Sequence, residues 1–183
     1  MSYRRWIFIA ISLFGIGLVL GLVTPSSIAG LIFGDIIEGL EELGGSLAPF
    51  SVLTVIFIFI KNAIAMLVSF VLSPILCLTP VLALTANGWL LSFVAASIAQ
   101  EESIGYILSG LLPHGILELP ALIMAQAAAL SFGTMAMLAL FKKERRKLLL
   151  PNLKQNSKYV LIALALLLPA AIIETYVTPL LLR

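Results

Sequence analysis

The sequence predicts an all-α integral membrane protein, a bundle of about five transmembrane helices with one additional amphipathic helix at the membrane interface. Of its 183 residues, 61% are hydrophobic and only 11% are charged, and the mean hydropathy is +1.15. A soluble globule of this composition would lack the polar side chains needed to cover its surface. The apolar runs approach or exceed the roughly 20 residues with which a helix crosses a bilayer, and they do not alternate as barrel strands do.

Five apolar runs and two polar segments make up one integral membrane domain over residues 1–183. The first run follows two arginines and is long for a signal peptide, so we interpret it as an uncleaved span. The predicted spans cover residues 6–23, 49–72, 75–99, 113–141 and 159–178, with the amphipathic segment at 28–43 and a basic loop at 142–158.

The fourth apolar region, residues 106–141, is too long for one straight span. As a continuous helix it would measure about 54 Å, against a hydrocarbon thickness of about 30 Å. Either this helix tilts and protrudes, or a short leading piece breaks before Pro113 and the spanning helix begins there. Proline is well tolerated in the first turn of a helix, and the predicted span therefore starts at Pro113.

The amphipathic segment combines an apolar stripe with acidic side chains, which is typical of a helix lying at the interface. Helices that bind anionic lipid are usually basic, so we expect this one to dock onto the bundle or onto a partner protein. Its acidic residues are Asp35, Glu38, Glu41 and Glu42.

Charge placement predicts the orientation of the chain. With five spans, the N-terminal arginines and the basic loop fall on one side, while the amphipathic segment falls on the other with Glu101 and Glu102. The positive-inside rule then places the N-terminus in the cytoplasm and the C-terminus outside. Topology accounts for the basic loop, so we expect a multi-pass protein of the cell membrane, in contact with lipid and without a nucleic-acid partner.

Four ionisable residues and two asparagines lie inside the predicted spans, where an ionised group costs roughly 2.5 to 3.5 kcal/mol. His114, the only histidine, lies four residues before Glu118, so both fall on one helix face. Helical rise places Glu118 and Glu174 at similar depth in the outer leaflet. We expect a polar core open to the outside, in which a lysine stem reaches a carboxylate as its counter-charge. The deeper members of this core are Lys61, Asn62 and Asn87.

Three interpretations of these residues stay open. They form a hydrogen-bond network that fixes helix register, a binding site for a small molecule or ion, or a metal site. In the last case His114, Glu118 and Glu174 supply three nitrogen and oxygen ligands suited to zinc or a similar divalent ion. The two-histidine zinc motifs and a serine motif with its base are missing from the sequence, which disfavours an enzyme.

Several stretches resemble the stage II sporulation protein M family of polytopic membrane proteins. The most specific is Pro-His-Gly-Ile-Leu-Glu-Leu-Pro-Ala at residues 113–121, supported by residues 84–88 and 171–179. Where the second span of that family typically has paired asparagines, this chain has Lys61 and Asn62. The resemblance covers roughly residues 50–180.

This resemblance implies a membrane scaffold or assembly protein. The sporulation member of the family holds two cell-wall hydrolases during engulfment, and many relatives occur in bacteria and archaea that do not sporulate. The expected partners are other membrane or cell-envelope proteins and further copies of this chain as a homo-oligomer. The alternative function is a transporter, an ion-binding or small-molecule-binding protein, or a metal-dependent membrane enzyme that uses the polar core.

The orientation is testable with a reporter fused behind Arg183. We expect an external signal, because five spans separate this end from a cytoplasmic N-terminus. A reporter inserted after Lys147, in the basic segment, is the matched control and should read as cytoplasmic. A cytoplasmic signal from both positions would contradict the five-span topology.

Overall fold

The computed structural model of the protein describes residues 2–25, 48–100 and 102–182, nearly all of which are helical. Five helices in these residues are long and apolar enough to cross a membrane, which confirms the predicted all-helical class. The amphipathic segment at 28–43 lies outside the described residues. The helices are α1 Tyr3–Val23, α2 Val52–Leu72, α3 Leu78–Ile98, α4 Ile104–Phe141, α5 Arg146–Tyr176 and the short α6 Thr178–Leu181, with a 3-10 turn at Lys143–Arg145.

Helix α4 is continuous through both of its prolines. It begins at Ile104 rather than at Pro113, so the break considered before Pro113 does not occur. Ser103 caps the N-terminus of α4, because its Oγ accepts a hydrogen bond from the backbone N–H of Tyr106 at 3.2 Å. Each proline removes one backbone donor, a loss that helices in an apolar bundle tolerate when neighbouring groups and local adjustment satisfy the freed carbonyl.

The segment predicted as a basic loop is also largely helical. After the 3-10 turn, α5 begins at Arg146 and runs without interruption past residue 158. Its first turns contain Leu, Lys, Arg and Gln, which are good helix formers. Pro151 is the sixth residue of this helix, and the helix continues through it. The apolar part of α5 therefore extends from a helical stem rather than from a linker.

Helix α4 is the central element because it contacts each of the other described helices, most extensively α5. Its middle is built from small residues that are almost fully buried. Small side chains let helix backbones approach closely, which matters in lipid because burial of apolar surface does not drive helices together there. The buried alanines of this stretch are Ala121, Ala125, Ala127, Ala128 and Ala129.

Helices α1 and α3 form a second close pair. Gly17 and Gly21 of α1 face α3, and a Cβ at Gly17 would collide with the backbone carbonyl of Thr85. Gly88 of α3 makes the reciprocal approach, since a Cβ there would collide with the carbonyl oxygen of Phe14. The G-x-x-x-G pattern of the first span is therefore a close helix crossing rather than a chance pair of glycines.

Helix α2 packs against α5 and α4, whereas it touches α3 little although the two are consecutive. Ser69 of α2 donates a buried hydrogen bond to Gln126 Oε1 of α4 at 2.6 Å. Asn156 of α5 similarly donates to Ser131 Oγ of α4 at 3.3 Å. Because α2 and α3 each pack on a different partner, a gap opens between them on one side of α4.

The glycine crossing predicts a position-specific loss of stability along α1. Gly17→Ala should destabilise the protein by about 1 to 3 kcal/mol, because the new methyl group meets backbone that is held by α3. The matched control is Gly15→Ala on the same helix, where a Cβ meets nothing within 4 Å. Unfolding titrations in detergent micelles measure both, and equal stabilities of the two variants would contradict the crossing.

Candidate functional site

Three ionisable side chains from two helices converge in the structure. One ligand atom from each of His114, Glu118 and Glu174 lies within 4.8 Å of the other two, and all three residues are partly buried. We call these three residues the His-Glu cluster. His114 and Glu118 are one turn apart on α4, and Glu174 lies in the last turn of α5.

The pairing of α4 with α5 produces this convergence. The two helices are joined by the short turn Lys143–Arg145 and pack along much of their length. Residues far from the turn on α4 therefore meet residues far from it on α5. The sequence predicted that Glu118 and Glu174 share a depth, and the packing in addition turns both side chains toward the same space.

Asn62 is the hydrogen-bond partner of the Glu118 carboxylate. Its Nδ2 donates to Glu118 Oε1 at 3.0 Å and links α2 to α4. The sequence analysis expected Lys61 to reach a carboxylate instead. The Lys61 side chain is exposed. Adjacent residues on a helix point in directions about 100° apart, so only Asn62 faces Glu118 directly.

Thr178 is a member of the site that the sequence analysis did not select. Its Oγ1 lies 3.4 Å from His114 Nδ1 and 3.5 Å from the carbonyl oxygen of Ile173. When the hydroxyl donates to Ile173, it accepts from an Nδ1–H of His114, and Nε2 then carries the free lone pair. Thr178 lies four residues after Glu174, just past the end of α5 at Tyr176, and this short spacing was the available signal for it.

A cavity of about 590 Å³ adjoins the cluster between α2, α3 and α4, with one residue of α1 in its wall. Lys61, Asn62, Asn87, His114 and Glu118 line it, while Glu174 does not. Asn87 is exposed there, and its Nδ2 donates to the Ala83 carbonyl oxygen of its own helix at 2.7 Å. The structure thus brings all three sequence-predicted polar residues of α2 and α3 to one cavity, but only Asn62 bonds to the cluster.

The apolar wall of this cavity was not foreseen, because leucines in a membrane span carry no sequence signal for facing a cavity rather than lipid. It consists of Phe14, Leu90, Leu91, Val94, Leu108, Leu111, Leu112, Ile116, Leu119 and Leu122. Ligand sites are typically apolar spaces with a few convergent polar groups, and this cavity has that composition. The arrangement can hold a cation between two carboxylates and an imidazole.

A double-mutant cycle tests the bond between Asn62 and Glu118. Asn62→Ala should lower stability by about 1 to 3 kcal/mol, because it leaves a partly buried carboxylate without its donor. Combined with Glu118→Ala, it should show a coupling of about 1 kcal/mol. Asn87→Ala is the control, since that amide bonds within its own helix. Additive effects in unfolding titrations would contradict the contact.

Comparison with known proteins identifies relatives over most of the chain. The uncharacterized protein MJ0793 of Methanocaldococcus jannaschii is 25% identical over 178 residues, which cover 94% of this chain and 93% of that protein. The uncharacterized protein MJ0706 of the same organism is 24% identical over 163 residues, covering 88% and 72% of the two chains. No solved structure matches the chain. The family model described as stage II sporulation protein M matches residues 10–179, and the protein therefore belongs to the stage II sporulation protein M family.

Proposed function

We propose that the protein is a multi-pass membrane protein that binds a divalent metal ion, zinc or one of similar preference, at the His-Glu cluster. The observation that carries this proposal is the approach of one imidazole and two carboxylates from two helices to within 4.8 Å of one another. These residue types are the nitrogen and oxygen ligands that such ions take in proteins. The exposed apolar surface of the candidate spans supports the location in a membrane.

The charge of the cluster supports a bound cation. Two carboxylates less than 4.8 Å apart repel each other by roughly 3 kcal/mol or more at an effective dielectric constant of about 20. Asn62 supplies one neutral donor to Glu118, and the nearby Lys61, which lines the adjoining cavity, is exposed. A divalent ion between the carboxylates would balance both negative charges, whereas one lysine would balance only one of them.

The surroundings of His114 also favour metal binding. Histidines that bind metals usually donate their other ring N–H to an oxygen, which fixes the tautomer and orients the ring. The Thr178 hydroxyl is the candidate acceptor for Nδ1–H, so Nε2 is the nitrogen available to the ion. In a tetrahedral zinc site the ligand atoms lie about 3.4 Å apart. Side-chain rotation that draws the three ligand atoms closer by about 1 Å would complete this geometry.

Three protein ligands leave one coordination position of a tetrahedral ion open. The cavity between α2, α3 and α4 adjoins two of the three ligands, His114 and Glu118. An ion in the cluster would therefore be reachable from the cavity, as transport or ligand binding requires.

We place the N-terminus in the cytoplasm and the C-terminus outside, with the reporter experiment above as the test.

Elemental analysis of the purified protein tests the metal proposal. We expect about one zinc ion per chain after equilibration with the metal, and at least a tenfold loss of affinity in His114→Ala, Glu118→Gln and Glu174→Gln. Glu144→Gln, which removes an exposed carboxylate in the turn between α4 and α5, is the matched control and should bind as the wild type does. A chelator should lower the unfolding temperature of the wild type and not that of His114→Ala.

The competing interpretation is a hydrogen-bond network that only fixes the register of the helices. It predicts that the same three variants lose thermal stability while the wild type holds no stoichiometric metal and does not respond to the chelator. That result would overturn the metal proposal. A His114→Ala variant that binds zinc as tightly as the wild type would also overturn the metal proposal.

A scaffold function is the second candidate, supported by the acidic segment at 28–43 and by the family membership. Neutralising Asp35, Glu38, Glu41 and Glu42 together should reduce the recovery of envelope proteins after crosslinking in cells, because these carboxylates offer a charged docking surface. Glu102→Gln, at an exposed position predicted on the same side of the membrane, is the control. Unchanged recovery would count against the scaffold.

A further inference from the structure

The cavity beside the His-Glu cluster has two chemically different ends. Helices α3 and α4 are consecutive, so the last part of α3 and the first part of α4 lie together at their connecting turn. The cavity residues from these parts are Leu90, Leu91, Val94, Leu108, Leu111 and Leu112, all apolar. Farther from the turn, the wall contains Asn87, His114 and Glu118, with Lys61 and Asn62 contributed by α2, together with the apolar Ile116, Leu119 and Leu122.

The length of the cavity follows from helix geometry. Fourteen residues separate Leu108 from Leu122, the first and last cavity residues of α4, which corresponds to about 21 Å of helix. The volume of about 590 Å³ lies within the range of roughly 300 to 1,000 Å³ that is usual for small-molecule sites. The space is therefore elongated and large enough for a ligand, with only apolar side chains near the turn and all of its polar groups in the part farther from it.

The charge at the polar end selects the head group of such a ligand. A divalent ion held by Glu118 and Glu174 would neutralise the two carboxylates, and the Lys61 ammonium would then leave this end with a net positive charge. Lys61, His114 and Glu118 line the same cavity, so an open coordination position of an ion held by the cluster would be accessible from the space that the exposed Lys61 side chain lines. An anion with oxygen ligands can satisfy both of them.

We infer that the cavity binds an amphipathic molecule with one anionic head group, a carboxylate or a phosphate monoester, and one unbranched apolar tail. The head group lies between the metal ion and Lys61, and the tail extends along the leucines toward the turn between α3 and α4. This inference rests on the proposed metal site for part of the positive charge. It adds to that site the chemical class of the ligand.

The test uses the full chain in nanodiscs of phosphatidylcholine, loaded with zinc, and measures the unfolding temperature during titration. The probes are dodecyl phosphate and dodecanoate below their micellar concentrations, with inorganic phosphate and dodecyltrimethylammonium for comparison. We expect dodecyl phosphate and dodecanoate to raise the unfolding temperature. Inorganic phosphate and dodecyltrimethylammonium should raise it at least tenfold less. Inorganic phosphate as effective as dodecyl phosphate would assign the site to free phosphate and overturn the inference.

Two variants separate the contributions of the head group and the tail. Lys61→Gln should weaken binding of dodecyl phosphate at least tenfold, whereas Lys154→Gln, another exposed lysine far along the chain on α5, should not. Leu111→Trp should fill the apolar end and abolish tail-dependent binding. Leu91→Phe is a smaller substitution at the same end for use if Leu111→Trp does not fold, as judged by the unfolding temperature without probe.

Failure of this inference and failure of the metal proposal give different results. Stoichiometric zinc without stabilisation by either anionic amphiphile, or with equal stabilisation by dodecyltrimethylammonium, overturns the amphiphile inference and leaves the metal site intact. Absence of zinc from the wild type in elemental analysis overturns the metal proposal. Binding of dodecyl phosphate that is unaffected by Lys61→Gln and by both cavity-filling variants would place the probe elsewhere and overturn the inference.

Discussion

The polar side chains inside this apolar bundle need partners, and that requirement links its central helices. Among the described residues, every buried side-chain nitrogen or oxygen has a hydrogen-bond partner. The Ser69–Gln126 bond connects α2 to α4, and the Asn156–Ser131 bond connects α5 to α4. Because an unpaired polar group in an apolar interior costs several kcal/mol, these bonds fix which faces of the helices meet.

Close packing adds a second constraint that explains the position of the cavity. The small alanines of α4 let α5 approach closely, and the glycines of α1 and α3 let those two helices pack closely against each other. Helix α2 packs against α5, while α3 packs mainly against α1. The two consecutive helices α2 and α3 therefore separate beyond their short connection. The space between them is then lined by whichever residues of α4 remain uncovered, including His114 and Glu118.

The proposed functions use different parts of the chain and do not exclude one another. Metal and ligand binding would take place inside the bundle, where α4 and α5 bring ionisable groups together. Scaffolding would use the acidic segment between α1 and α2 in the sequence. In a family whose relatives include archaeal proteins, a site inside the bundle offers a function that requires no sporulation partner.

The sequence by itself determined the helical class, the number of candidate spans, the family and six of the polar residues that lie inside the spans. It also put His114 and Glu118 on one face of a helix, because their spacing is local and helical periodicity is fixed. Only the tertiary structure decided that Asn62 rather than Lys61 bonds to Glu118, that Thr178 joins His114, and that the leucines of α3 and α4 line a cavity. Counting residues along a helix gives the depth of a side chain but not its direction around the axis relative to other helices. That rotation is set by packing between segments distant in sequence.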